Sequence, residues 1–273
     1  MHADQQPYRE LYDAIMDDEP TSENLASWIE RNPGEVEWLQ AFRSHSGPTV
    51  PVSTEDLWRL YALSRVIQLL TLPFQRGRAD GSAWAGPEIT ASDLSSFVGD
   101  LGMTVVAPEH FSPFDCEIVT AVQGAERDQP IALTEIHWPA LMLGDMLIAR
   151  AGVSIIGGAN WFDATIASTS MLYWALRRKT RPYEDQSHGW GGNSQWRTAF
   201  RRDYRVGSKL YYNVEGKYDL ADSEPPAREG NPLTRQERIE LLTNRCFIVT
   251  AKHSAEVWPY DDRIVLDAPR SGH

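Results

Sequence analysis

The sequence predicts an α+β fold: a helical N-terminal third followed by a mostly antiparallel sheet with two or three packed helices. Three observations carry that reading. Through residues 1–102 apolar side chains recur at three- and four-residue steps, the helical period. After Gly102 they alternate along short runs, the strand period. Helices and strands also fall in blocks rather than in strict strand–helix–strand order, which argues against a doubly wound parallel sheet.

Tyr8 to Met16 is a short amphipathic stretch. Ser22 stands ahead of Leu25, Trp28 and Ile29 as an N-cap, and Pro33-Gly34 breaks the helix that follows. The clearest helix runs from Thr54 to Leu72, with Leu57, Leu60, Leu63, Ile67 and Leu70 on one side. Its opening acids suit the helix dipole. Gln75 to Pro87 reads as a loop and Ser92 to Leu101 as a further short helix.

In the second half Phe114–Val122 and Ile131–Trp138 alternate and are expected to pair as neighbours. Leu141–Leu143 and Met146–Ile156 read as two more strands joined at Gly144-Asp145. Asp163 caps a helix expected to continue to about Lys179, where Pro182 follows. Thr198–Arg205 and Lys209–Val214 flank Val206-Gly207-Ser208 as a hairpin. Thr234 with Glu237 forms a capping box for a helix to Asn244. Phe247–Ala251 and Arg263–Leu266 are the last expected strands. The division is therefore a mainly helical region, 1–102, and an α+β domain, 103–273. Gly47, Pro48 and Pro51 mark an internal joint that truncation before Val52 would test.

The chain has 273 residues, a net charge of -12 and two cysteines, Cys116 and Cys246, each within an apolar stretch. Overall acidity argues against a general nucleic-acid binder and against an anionic membrane surface. The longest apolar run, Leu141 to Ile156, is interrupted by Asp145 and Arg150 and does not read as a membrane span. No basic and then apolar leader is visible, so the expected setting is the cytoplasm, with both cysteines as buried thiols.

The densest segment is Ser187–Tyr212, which packs glycines, His188, Asn193, Gln195, Trp190, Trp196 and several arginines together. From Arg177 to Lys209 nine basic residues face three acids, a +6 island in a chain whose remainder sums to -18. Guanidinium groups match carboxylate and phosphate oxygens bidentately, so such an island can hold an anion. Equally, the arginines can pair with the surplus acids across the fold. In the first reading His188 and Asn193 are the catalytic candidates. Arg197, Arg201, Gln195 and Trp190 are the ligand-binding ones, with Arg197 and Arg201 on a shared face. Gly189, Gly191 and Gly192 permit close backbone approach to a ligand.

A second set comes from the strand pair. Asp115 and Glu117 share one face, as do Glu135 and His137. With His110 they would form an acid–base or divalent-metal set if the two strands pair in register. One wet face of an antiparallel sheet would look the same. The sequence contains no Gly-x-Gly-x-x-Gly after a strand, Gly-Lys-Ser/Thr, His-Glu-x-x-His or Gly-x-Ser-x-Gly motif, and no cysteine pair at metal-ligand spacing. It names no cofactor. Two function classes follow. One is a protein binding an anionic small molecule, with hydrolytic or other turnover in the 187–205 segment. The other is a non-catalytic acidic module that covers a basic protein partner, as toxin-neutralising proteins do.

Overall fold

The structure, a computed structural model, describes residues 6–17, 21–44, 47–77, 84–179, 181–183, 196–221, 233–251 and 258–268. Five helices open the chain: α1 (Gln6–Met16), α2 (Thr21–Arg31), α3 (Pro33–Ser44), α4 (Thr54–Leu70) and α5 (Ala91–Asp100). Ser53 caps α4, its hydroxyl accepting from the Asp56 amide at 3.0 Å, and Leu57, Leu60, Leu63, Ile67 and Leu70 are all buried. A capping box of Thr90 and Asp93 starts α5.

Strands follow: β1 (Thr104–Val106), β2 (Cys116–Gln123), β3 (Ala132–Trp138), β4 (Ala140–Leu143), β5 (Met146–Ala149) and β6 (Ala151–Gly157). After α6 (Ala164–Thr169) come β7 (Asp203–Val206), β8 (Lys209–Tyr212), β9 (Tyr218–Asp219), α7 (Arg235–Asn244) and β10 (Asp262–Asp267). They form a seven-stranded mixed sheet in the order β1-β4-β5-β7-β8-β10-β9 and a three-stranded sheet in the order β2-β6-β3. The α+β class and the helical N-terminal region are thus observed.

The strand period explains the layering. Leu141, Leu143, Met146, Ile148 and Tyr204 turn one face of the large sheet to the helices and share a core with Ile15, Trp28, Leu60 and Phe97. Leu147, Leu210, Tyr212 and Ile264 turn the other face to Cys116, Ile118, Val153 and Ile155 of the small sheet and to Leu242 of α7. Both cysteines are free and buried. Among the described residues no helix is long and apolar enough to cross a membrane.

Several local expectations are corrected. β2 and β3 do not pair: β6 lies between them, parallel to β2 and antiparallel to β3. The run Met146–Ile156 is two strands in different sheets, split at Arg150. The helix capped by Asp163 ends at Thr169 because the following groups find partners across the fold. The Ser170 hydroxyl donates to the Phe247 carbonyl, the Tyr173 amide to Arg245, and the Leu176 and Lys179 amides to the side chains of Gln68 and Gln75. Phe247–Ala251 is no strand, since the amides of Ile248, Val249 and Thr250 all donate to the Glu240 carboxylate. The hairpin at Gly207 (φ 57°) and the Thr234–Glu237 capping box are as expected.

Candidate functional site

The most unusual chemistry lies where β7, the β5–β6 corner and the end of α7 meet. Asp203 opens β7 and is fully buried, and three arginines converge on it. Arg201 Nε is 3.1 Å from Oδ1, while Nη2 of Arg150 and Nη2 of Arg245 are each 3.5 Å from Oδ2. The Asn213 amide also donates to Oδ1, at 2.8 Å. Burial pushes the Asp203 pKa up, but the charges of Arg201, Arg245 and Arg150 outweigh it and hold the carboxyl below its ordinary value.

Each arginine reaches the cluster by a different local route. Arg201 precedes β7, and its other donors go to the Tyr173 hydroxyl and, at 2.5 Å, to the Leu242 carbonyl. Arg150 occupies the corner between β5 and β6 and donates through Nη1 to the Thr243 carbonyl at 2.7 Å. Leu242 and Thr243 lie in the last turn of α7, whose carbonyls have no partner within the helix. Arg245 follows that turn in the left-handed conformation, φ 60°.

Charge accounting sets this cluster apart. Three guanidinium groups share one carboxylate, while the neighbouring buried acids Glu117 and Asp115 are paired with Arg178 and Arg205. The α7 C-terminus offsets about half a unit. Arg150 Nε and Nη2, Arg245 Nε and the Tyr212 hydroxyl are buried without a hydrogen-bond partner among the described residues. Asp203 Oδ2, 3.5 Å from Arg150 Nη2 and Arg245 Nη2, is likewise without a hydrogen bond, so the orphans here comprise one acceptor and four donors, and the described residues supply no acceptor for Arg150 Nε or Arg245 Nε. Burial, with the neighbouring Arg150 and Arg201, presses the Arg245 pKa down to about 9. Arginine resists deprotonation, so that pressure expresses the cost of the unbalanced charge. All three described non-glycine residues with positive φ also gather here: Arg245 itself, Asn213 at Asp203, and Trp174 beside Tyr173. Backbone strain of this kind concentrates at functional sites.

The residues singled out from sequence are distributed otherwise. His188, Trp190, Asn193 and Gln195, with Gly189, Gly191 and Gly192, lie outside the described residues. Arg197 is exposed with its guanidinium 5.6 Å from the Trp58 ring, whereas Arg201 is buried and engaged with Asp203. Much of the basic island is paired internally: Arg178 with Glu117, Arg202 with Glu215, Arg205 with Asp115 and Lys209 with Asp267. Trp196 is a core residue with Arg65 stacked 3.9 Å over its ring.

The second set is also divided. His110 is exposed, Asp115 is bound to Arg205, and Arg178 grips Glu117 with contacts of 2.5 and 2.7 Å. Glu135 and His137 stand on β3, on the far side of β6 from Asp115 and Glu117. Among the described residues no group of three or more His, Cys, Asp or Glu is placed to hold a metal ion. Of the tail acids, Asp262 pairs with Arg238 and Asp261 with Lys217.

Sequence reasoning missed Asp203, Arg150, Arg245, Tyr173 and Tyr212. A signal existed for two of them. Arg150 interrupts the longest apolar run, and Arg245 adjoins Cys246 in another, positions where a charge needs a buried partner. No family model, no curated protein and no solved structure matches this chain.

Proposed function

We propose that this protein binds a small anion, a carboxylate or a phosphate, at the Arg150–Arg201–Arg245 cluster around Asp203. The observation that carries the reading is the excess of three buried guanidinium groups over one carboxylate, with Arg150 Nε and Arg245 Nε finding no acceptor among the described residues. An anion supplies both what the charge balance lacks and what the orphaned N–H groups need. Arg201 acts as scaffold rather than clamp, because its donors are already engaged. The ligand's contacts fall to Arg150, Arg245 and the Tyr212 hydroxyl.

Isothermal titration with inorganic phosphate and with a series of mono- and dicarboxylates tests this reading. One equivalent of one of these anions is expected to bind the folded protein. Absence of heat with every anion, in a protein that melts cooperatively, would overturn the reading.

A second reading, an acidic module for a basic protein partner, has its own support. Residues 1–102 hold sixteen acids against seven arginines. Between α2 and α5 they form a groove of about 140 Å³ with Leu25, Ala26, Ile29 and Phe97 along it and Asp93 and Asp100 beside them. An aliphatic stem ending in a cation suits that combination. Binding of a basic protein that weakens steeply with salt, with no small-anion binding, would favour this second reading.

A further inference from the structure

The three-stranded sheet carries a hydrogen-bonded chain that the anion cluster does not use. Glu135 and His137 stand two residues apart on β3, Ser154 lies next door on β6, and Thr120 is its register partner on β2. His137 Nε2 is 2.8 Å from Ser154 Oγ, and Ser154 Oγ is 2.6 Å from Thr120 Oγ1. On the other side of the ring, His137 Nδ1 is 3.7 Å from Glu135 Oε1, and Glu135 is held at 2.5 Å by Arg76.

The chain can run in either direction, and one of the two suits nucleophilic attack. If Thr120 donates to Ser154 Oγ, the serine proton points at Nε2, and Nδ1–H points toward the glutamate. That places a serine beside its base at hydrogen-bond distance, with the acid 3.7 Å from the far ring nitrogen, an electrostatic contact rather than a hydrogen bond. We propose that Ser154 is a nucleophile toward small carboxylic esters, with His137 as its general base and Glu135 as the residue that positions the imidazole.

Three features fit that role. The imidazole is 3 % exposed and backed by a paired sheet, so its orientation is fixed. Burial, aided by Arg76, lowers the His137 pKa against the opposing pull of Glu135, leaving it neutral and able to accept a proton near pH 7. Ser154 is 9 % exposed, and Glu135, its register neighbour on β3, and Arg76 are open to solvent, so the proposal is confined to small acyl groups. In the reaction Ser154 Oγ adds to the carbonyl carbon while its proton passes to Nε2. The ester C–O bond then breaks as that proton moves to the departing alkoxide. Water, deprotonated by the same nitrogen, adds to the acyl-serine and releases the acid and the free serine.

A fluorophosphonate probe tests the assignment independently of the anion site. The Ser154 oxygen would form the bond to phosphorus, fluoride would leave, and the proton would go to His137. Intact mass and peptide mapping are expected to show one adduct, on Ser154, absent in Ser154→Ala. Labelling, like p-nitrophenyl acetate hydrolysis, should be slowed roughly 100-fold or more in His137→Gln, the usual scale of general-base catalysis. Wild-type protein that melts cooperatively yet takes no probe, or takes it on another residue, overturns the proposal. Because the wild-type peptide map decides the matter, the test survives a variant that fails to fold.

Discussion

At the scale of single residues, Asp203 is the hinge of the account. Removing its charge leaves Arg150, Arg201 and Arg245 facing one another without a buried counter-ion, and breaking a buried ion pair from one side costs about 3–5 kcal/mol. Asp203→Asn is therefore expected to lose stability on that scale in urea unfolding, with part of the loss restored by a bound anion. The pH dependence follows from the same groups. Burial raises the Asp203 and Glu117 pKa values, but Arg201 and its neighbours for the first, and Arg178 for the second, bring both below their ordinary values. A depressed folded-state pKa means the ionised form is favoured by folding. That stability is fully present above about pH 5, beyond the ordinary values of both carboxyls, and drains away as pH falls from there through the folded-state values. An acid titration of the melting temperature should show the fall, steeper in wild type than in Asp203→Asn. Arg150 and Arg245 were open to sequence reasoning, as charges inside apolar stretches. Asp203 was not, because an acid in a strand looks the same whether it faces water or three arginines.

At the scale of elements, what the sequence revealed divides by the range of the forces involved. Caps and turns act within a few residues, so Asp163, Thr234 with Glu237, and Gly207 were readable in advance, whereas Ser22, read as an N-cap, lies inside α2, which already begins at Thr21. Thr234→Ala removes the acceptor for the Glu237 amide and half of the reciprocal box. Its expected cost is about 1 kcal/mol in thermal or denaturant unfolding. The larger failures are tertiary. Residues 170–179 have helical composition, yet Gln68, Gln75, Phe247 and Arg245 take their hydrogen bonds. Residues 248–250 have strand composition, yet Glu240 gathers their amides. The β2–β3 pairing failed for a related reason: a strand from later in the chain, β6, outcompeted the sequence neighbour, and the sheet period alone does not encode that choice.

At the scale of the whole molecule, the helices and the large sheet share one core. Tyr8, Leu11, Ile15, Trp28 and Leu39 pack in the same cluster as Leu141, Met146 and Tyr204. We therefore expect a chain beginning at Val52 to be insoluble or to lose its cooperative melt, because it would expose Leu60, Leu63 and Ile67. A soluble, cooperatively folding truncation would instead mark the first fifty residues as an independent unit. The charge distribution has the same global character. Among the described residues eight arginines are buried, Arg65, Arg150, Arg178, Arg181, Arg201, Arg202, Arg238 and Arg245, against six buried acids, Glu35, Asp115, Glu117, Asp203, Glu240 and Asp262. Most of these acids are paired with arginines, so the interior excess sits at the Asp203 cluster, and an anion drawn there is the reading that gives it a use.

The measurement that tests this claim most directly is a thermal-shift comparison of wild type and Arg245→Met against phosphate and small carboxylates. A ligand at a hundred times its dissociation constant stabilises the folded state by about 2.7 kcal/mol. In a chain of this size that is a rise of roughly 5–10 degrees. The account predicts such a rise in wild type. It predicts no rise in Arg245→Met, whose stability without ligand should lie within about 1 kcal/mol of wild type or above it, because a buried unbalanced charge has been replaced by an apolar side chain. An unchanged wild-type melting temperature with every anion, or an equal rise in the variant, would contradict it.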